Sequence, residues 1–155
     1  MDNNHNLVNI VEFEKEDIEN KKIISSLMSD SLILEYGNPP NEGYLDELLN
    51  YYFGREDTKI FFLLDNNIFA GFIWLIKSED VVTSKFFTCI LYLYVDENFR
   101  GKGYSKILMN KAKEYCKSIE ITQLRLAVRH NNPVAIDLYN NLGYKTYKHE
   151  MLLDI

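Results

Sequence analysis

Leu91-Tyr92-Leu93-Tyr94-Val95-Asp96-Glu97-Asn98-Phe99-Arg100-Gly101-Lys102-Gly103-Tyr104-Ser105-Lys106 is an apolar, β-rich run that passes through a glycine turn into a helical pattern. A strand-to-helix junction of this kind aims backbone N–H groups and the positive end of the helix dipole at one point. Gly101 and Gly103 let the backbone bend and approach a ligand with no Cβ in the way, while Arg100 and Lys102 add positive charge. A phosphate or pyrophosphate is the natural guest of such a turn; the other reading is a plain strand-to-helix connection. Neither common nucleotide motif fits. There is no GxxxxGK(S/T), and Lys106 stands where GxGxxG requires its third glycine.

Outward from this segment, residues 7–13 alternate weakly and read as a first strand. Residues 17–34 carry Ile18, Ile23, Ile24, Leu27, Met28, Leu32 and Leu34 at roughly helical spacing, ended by Gly37, Pro39 and Pro40. Residues 42–53 form a second helical stretch closed by Gly54, so the loop between the two helices is a candidate substrate lip. Residues 59–64 and 68–77 read as strands joined by the hairpin turn Asp65-Asn66-Asn67, and Phe86–Val95 as the next strand. Residues 103–118 gather Ile107, Leu108, Ala112, Tyr115 and Cys116 on one helical face before residues 123–128 alternate again, which makes a βαβ unit. Asn132 and Pro133 open a last helix striped by Val134, Ala135, Leu138, Tyr139 and Leu142, and Gly143 closes it. Residues 144–155 are left for one or two closing strands. The order β-α-α-β-β-β-α-β-α-β-(β) predicts a mixed sheet covered by helices.

A chain of 155 residues with 46% hydrophobic side chains suits one core and a single domain over residues 1–155. Its net charge of -6 argues against nucleic acid or an anionic membrane as partner and suits a cationic substrate. Cys89 and Cys116 each fall inside a regular element, so they read as small buried apolar residues in a reducing interior, without a disulfide framework. No export signal is visible at the N-terminus, and the most apolar run, Phe86–Val95, is well short of the roughly 20 residues of a membrane-spanning helix. A cytoplasmic protein is the expectation.

Arg100-Gly101-Lys102-Gly103-Tyr104-Ser105 resembles the pyrophosphate loop of the GNAT superfamily of N-acetyltransferases: Arg or Gln, two residues, Gly, one residue, then Gly or Ala. Ser105 departs at the last position but is still small, and its hydroxyl can donate to a phosphate oxygen. Asn132-Pro133-Val134-Ala135-Ile136-Asp137-Leu138-Tyr139-Asn140-Asn141-Leu142-Gly143-Tyr144 is similar to the superfamily's N-x-x-A-x-x-L-Y-x-x-x-G-(F/Y) helix. Ile68-Phe69-Ala70-Gly71-Phe72 looks like its third strand. The resemblance covers residues 58–150 by motif and the first 57 by element order.

The resemblance implies a mixed α/β, α+β class fold in three layers. Its central sheet would be mostly antiparallel with six to seven strands, with one parallel βαβ unit splayed for coenzyme A and helices on both faces. It implies acetyl-CoA as co-substrate, no metal, an amine acceptor on a small molecule or protein, direct attack in a ternary complex, and a monomer or homodimer. The backbone of Leu93, Tyr94 and Val95 would pair with the pantetheine arm, and the N–H near Val95 would hold the oxyanion. Arg100, Gly101, Lys102, Gly103, Tyr104 and Ser105 would hold the pyrophosphate. Tyr139 is implied as the acid that protonates the departing thiolate; the other reading is a core tyrosine. Asn132 caps its helix, whether or not its side chain also touches the cofactor.

An amine of pKa about 10.4 must lose a proton before it attacks. Some members of the superfamily place a Glu in the fourth strand. Here that strand has no carboxylate and Cys89 sits nearby, which leaves Glu97, Tyr92, Tyr94 or a water as relay. Glu35, Glu42, Asp46 and Glu47 flank the first interhelical loop as an attractor for a cationic amine or as a solvated helix face. His130 reads as a surface residue. A different class stays open: a domain of the same fold that binds acyl-CoA as a sensor or scaffold without turnover, which would release no thiol.

Overall fold

Period-two alternation in the strands decides the layering. The computed structural model describes residues 7–14, 16–36, 41 and 43–155, with the side chains of residues 31–36 excepted. The elements are β1 (Val8–Glu12), α1 (Ile18–Tyr36), α2 (Tyr44–Phe53), β2 (Thr58–Asp65), β3 (Ile68–Glu79), β4 (Phe86–Val95), α3 (Tyr104–Ser118), β5 (Leu124–Leu126) and α4 (Pro133–Asn141). The strands lie in one sheet in chain order, β1 to β5. The first three pairings are antiparallel, and α3 is the helical crossover between β4 and its neighbour β5.

On one face Ile60, Phe62, Phe72 and Trp74 cluster with Phe13, Ile24, Leu49 and Phe53, so α1 and α2 cover that side. Phe61, one position out of step, meets Tyr115 of α3 edge-on at 5.9 Å between centroids, and Leu108, Met109, Ala112 and Cys116 of α3 are buried. A Leu, Ile, Met or Phe side chain buried here contributes roughly 1.5–3 kcal/mol by leaving water. A one-residue slip would expose a whole row, and this is what fixes the register. The sheet between two helical layers is the α+β architecture expected from the sequence.

Asn66 (φ 51) and Asn67 (φ 65) both adopt the left-handed conformation of a two-residue hairpin turn. The β2–β3 ladder slips once, Leu63 facing Gly71 and Leu64 facing Phe69, which leaves Ala70 as a bulge. The Ala70 carbonyl accepts the Asp96 N–H at 2.9 Å. At Gly71 a Cβ would lie 2.4 Å from the Tyr94 carbonyl oxygen, so only glycine lets the end of β4 come this close. A second slip, with Trp74 facing Tyr92 and Leu75 facing Ile90, leaves Leu91 as a bulge in β4.

Two compact units are found, Met1–Arg125 and Leu126–Ile155. In the second, α4 forms as expected, but no strand follows it among the described residues, and β5 is shorter than the sequence pattern suggests. Among the described residues the sheet has five strands rather than six or seven. The reason is physical: a strand exists only as part of a ladder, and β-rich composition supplies no partner. Tyr147, Met151, Leu152, Leu153 and Ile155 are exposed in this segment. Ile18, read from its spacing as part of the first helix's apolar set, is also exposed. Gly37, Pro39, Pro40 and Glu42 lie outside the described residues, as do residues 1–6 and the side chains of Leu32, Leu34 and Glu35. Among the described residues no helix is long and apolar enough to cross a membrane.

Candidate functional site

The path from β4 to α3 is held by its own short-range bonds. The Asp96 carboxylate accepts the Asn98 N–H at 2.9 Å and its Nδ2 at 3.0 Å, capping a single 3-10 turn over Glu97–Phe99. Arg100 follows in extended conformation, and its Nε donates to the Val95 carbonyl at 3.1 Å, tying the loop back to the strand end. Gly101 and Gly103 both have φ 79, a conformation that costs an L-residue roughly 1–2 kcal/mol. A Cβ at either position would meet nothing within 4 Å, so the space in front of the loop is open.

Gly103 is also the N-cap of α3, and no side chain caps this helix. Its carbonyl takes Lys106 N–H at 3.0 Å and Ile107 N–H at 3.3 Å, the ordinary start of a helical ladder. The earlier N–H groups have no partner inside the helix and add to its dipole, which makes this a donor cluster facing an open space. The chemistry fits a phosphate or pyrophosphate.

The side chains of the loop are engaged elsewhere. Asp65, the last residue of β2 and only 3% exposed, accepts the Tyr104 hydroxyl at 2.6 Å and Lys102 Nζ at 3.1 Å on the same oxygen. Its other oxygen takes Asn66 Nδ2 at 2.9 Å. The Tyr104 hydroxyl, then the Lys102 ammonium, hold the Asp65 carboxyl below the usual carboxylate range. The same bond to Asp65, helped by burial, pushes the Tyr104 phenol up to about 12. Lys102 also lies over the Phe99 ring, 4.9 Å from its centroid. The sequence pattern assigned Lys102 to the ligand; the structure pairs it with Asp65. In the sequence Asp65 is visible only as part of the hairpin turn, its one signal being an acid that closes the apolar run Ile60 to Leu64.

At the end of β4, Leu93, Tyr94 and Val95 are half-buried and pair with Ile73, Phe72 and Gly71. The Leu91 bulge lies just upstream, an irregularity of the kind that accumulates beside functional sites, and nothing in the composition announces it. Tyr92 stacks on Phe72 at 5.6 Å and 6°, and burial pushes the Tyr94 phenol up. Cys89 is half-buried with its Sγ 3.7 Å from the Ile90 carbonyl, and Glu97 is exposed on the 3-10 turn. Cys116 is buried and its thiol is pushed up by that burial, which keeps it protonated and agrees with an apolar rather than nucleophilic role. Asp46 and Glu47 are exposed in the first turn of α2, where the helix dipole favours acids, and His130 is exposed.

In the unit Leu126–Ile155, Asn132 caps α4 through its Oδ1, which accepts the Ala135 N–H at 3.1 Å, and Pro133 is the first helical residue. Tyr139 is half-buried, and burial pushes its phenol up, so it keeps its proton at neutral pH. Its ring centroid is 5.8 Å from that of Tyr144. Leu93 to Val95 and Arg100 to Ser105 are thus brought together in Met1–Arg125, while Asn132 and Tyr139 belong to Leu126–Ile155. Among the described residues no group of three His, Cys, Asp or Glu could hold a metal ion.

Residues 26–144 match the model of the Acetyltransferase (GNAT) family. A curated relative, an uncharacterized N-acetyltransferase of Methanocaldococcus jannaschii, is 40% identical over 53 residues, which are 34% of this chain and 24% of that protein. The matched stretch thus spans about a quarter of the relative's length. Among solved structures, one from Pyrococcus furiosus described as an acetyl transferase has a TM-score of 0.78 at 25% identity, covering 96% of this chain and all of that one. An aminoglycoside acetyltransferase from an uncultured soil metagenomic sample, in complex with sisomicin, has a TM-score of 0.74 at 16% identity over 96% of this chain and 95% of its own, a likeness of fold.

Proposed function

Because the chain belongs to the Acetyltransferase (GNAT) family, we propose that it transfers the acetyl group of acetyl-CoA to a primary amine of a small molecule or protein by direct attack in a ternary complex. The observation that carries this reading is the start of α3: a helix with no side-chain cap, entered through two positive-φ glycines that open onto free space. The pyrophosphate would sit on the N–H groups of residues 101–105, with Arg100 at their edge. The pantetheine arm would run along Leu93, Tyr94 and Val95, and an N–H near Val95 would polarise the thioester carbonyl. Attack by the neutral amine on the thioester carbonyl breaks the C–S bond, the departing CoA thiolate takes the Tyr139 proton, and the proton shed by the acylated nitrogen returns through water to the Tyr139 phenolate. Asn132 is occupied as a helix cap, which supports a structural role for its side chain.

The family match runs across Arg125 and Leu126, which supports reading the two units as one domain. The same reading makes the protein cytoplasmic, a monomer or homodimer. The test is release of CoA thiol from acetyl-CoA against a panel of polyamines, aminoglycosides, amino acids and peptide N-termini. Amine-dependent release is expected with at least one class. Tight binding of acetyl-CoA with no release across the panel would make the chain a binding module rather than an enzyme.

A further inference from the structure

We propose that Asp65 is a positioning residue of the cofactor site: from the end of β2 it holds the glycine loop in the shape that receives a pyrophosphate, acting through Tyr104 and Lys102. The inference rests on the reading of the preceding subsection. Gly101 and Gly103 carry no side chains and touch nothing at their Cβ positions, so the loop has no packing of its own at two of its residues. What flanks Gly103 on either side, Lys102 and Tyr104, donates to one and the same oxygen of Asp65, at 3.1 and 2.6 Å.

That oxygen is well anchored. Asp65 pairs with Val8 on β1 and with Ile68 on β3, so its backbone is fixed from both sides. Tyr104 is 5% exposed, and a tyrosine hydroxyl buried this deeply needs an acceptor. Without the carboxylate the two glycines regain their conformational freedom, and the N–H groups of the loop no longer converge before the ligand arrives. The ion pair with Asp65 also offsets the Lys102 charge, so attraction for an anion comes from the backbone N–H groups and Arg100 more than from Lys102.

The experiment is calorimetric titration of CoA into the parent, Asp65→Ala, Asp65→Asn and Tyr104→Phe, followed by kcat and KM for acetyl-CoA with the acceptor found by the amine panel. Asp65→Ala is expected to raise the CoA Kd and the acetyl-CoA KM at least tenfold while kcat at saturation stays within about twofold. Asp65→Asn, which keeps an oxygen for the Tyr104 hydroxyl, should recover part of that loss. Should Asp65→Ala fail to fold, Tyr104→Phe keeps the ring and removes one of the two braces, and a Kd about threefold weaker is expected. A parent that binds CoA, with folded Asp65→Asn and Tyr104→Phe variants that bind it equally well, overturns the proposal and leaves the enzyme assignment standing. So does a fall in kcat with an unchanged KM. A parent that binds no CoA overturns both.

Discussion

Two helices of this chain begin in opposite ways. Helix α3 starts at a left-handed glycine with no side-chain cap, and α4 starts at Asn132, whose side chain takes the Ala135 N–H at 3.1 Å. The first leaves its N–H donors without a side-chain cap. The second satisfies a donor internally, and a proline at its first position removes another. On the proposed function the α3 start is a binding site and the α4 start a stable helix beginning; α2 also begins at an uncapped left-handed glycine, Gly43, but lacks a second positive-φ glycine and carries Asp46 and Glu47 in its first turn. On that reading, α3 binds the cofactor and α4 carries a proton donor.

Tyr139→Phe tests the second half of that division and carries the largest expected effect. It removes one hydroxyl from α4 and keeps the ring, so the single-turnover rate should fall about 10²-fold while the CoA Kd stays put. A rate equal to the parent's on the true acceptor would return Tyr139 to the role of a packing residue. Gly103→Val comes next and acts on α3. At φ 79 a branched residue is strained, and its Cβ would fill the space left for the pyrophosphate, so CoA should bind more than tenfold more weakly, about 1.4 kcal/mol. Isothermal titration measures this.

Asn132→Ala sharpens the contrast from the other side. Loss of the cap should lower stability by about 1 kcal/mol in urea denaturation, with the CoA Kd unchanged. A weaker Kd would mean that Asn132 serves the ligand as well as the helix. The smallest effect is one of pH. The Tyr104 phenol stands at about 12 in the folded chain against an ordinary tyrosine's 10.0, so the stability it contributes is complete below pH 10 and is lost as pH rises from 10 toward 12. The difference in urea midpoint between the parent and Tyr104→Phe should shrink across that window and be constant from pH 7 to 9.

Much of this was legible in the residues because local rules and tertiary packing agree. The hairpin at Asn66-Asn67, the glycine entry to α3 and the Asn-Pro start of α4 each need a particular residue type at a particular φ or cap, and the structure has them there. The strands whose apolar rows meet helices on both sides also formed within a residue or two of their predicted limits. Residues 144–155 do not form the expected strands, because that expectation rested only on what is left of the chain after α4, and a strand needs a neighbour to hydrogen-bond to it. The Asp65 brace was invisible for a related reason. Its partners lie 37 and 39 residues away, and only the antiparallel hairpin and the β4-to-α3 turn bring them together.

The central claim is that the open N–H groups at the start of α3 receive the pyrophosphate of CoA, and amide NMR tests it most directly. Titration of CoA into the labelled protein should move the Gly103, Tyr104 and Ser105 amides most, and pantetheine, which lacks the pyrophosphate, should leave them in place. Equal shifts with both ligands, or still amides at these three residues while CoA saturates the protein, would contradict the account.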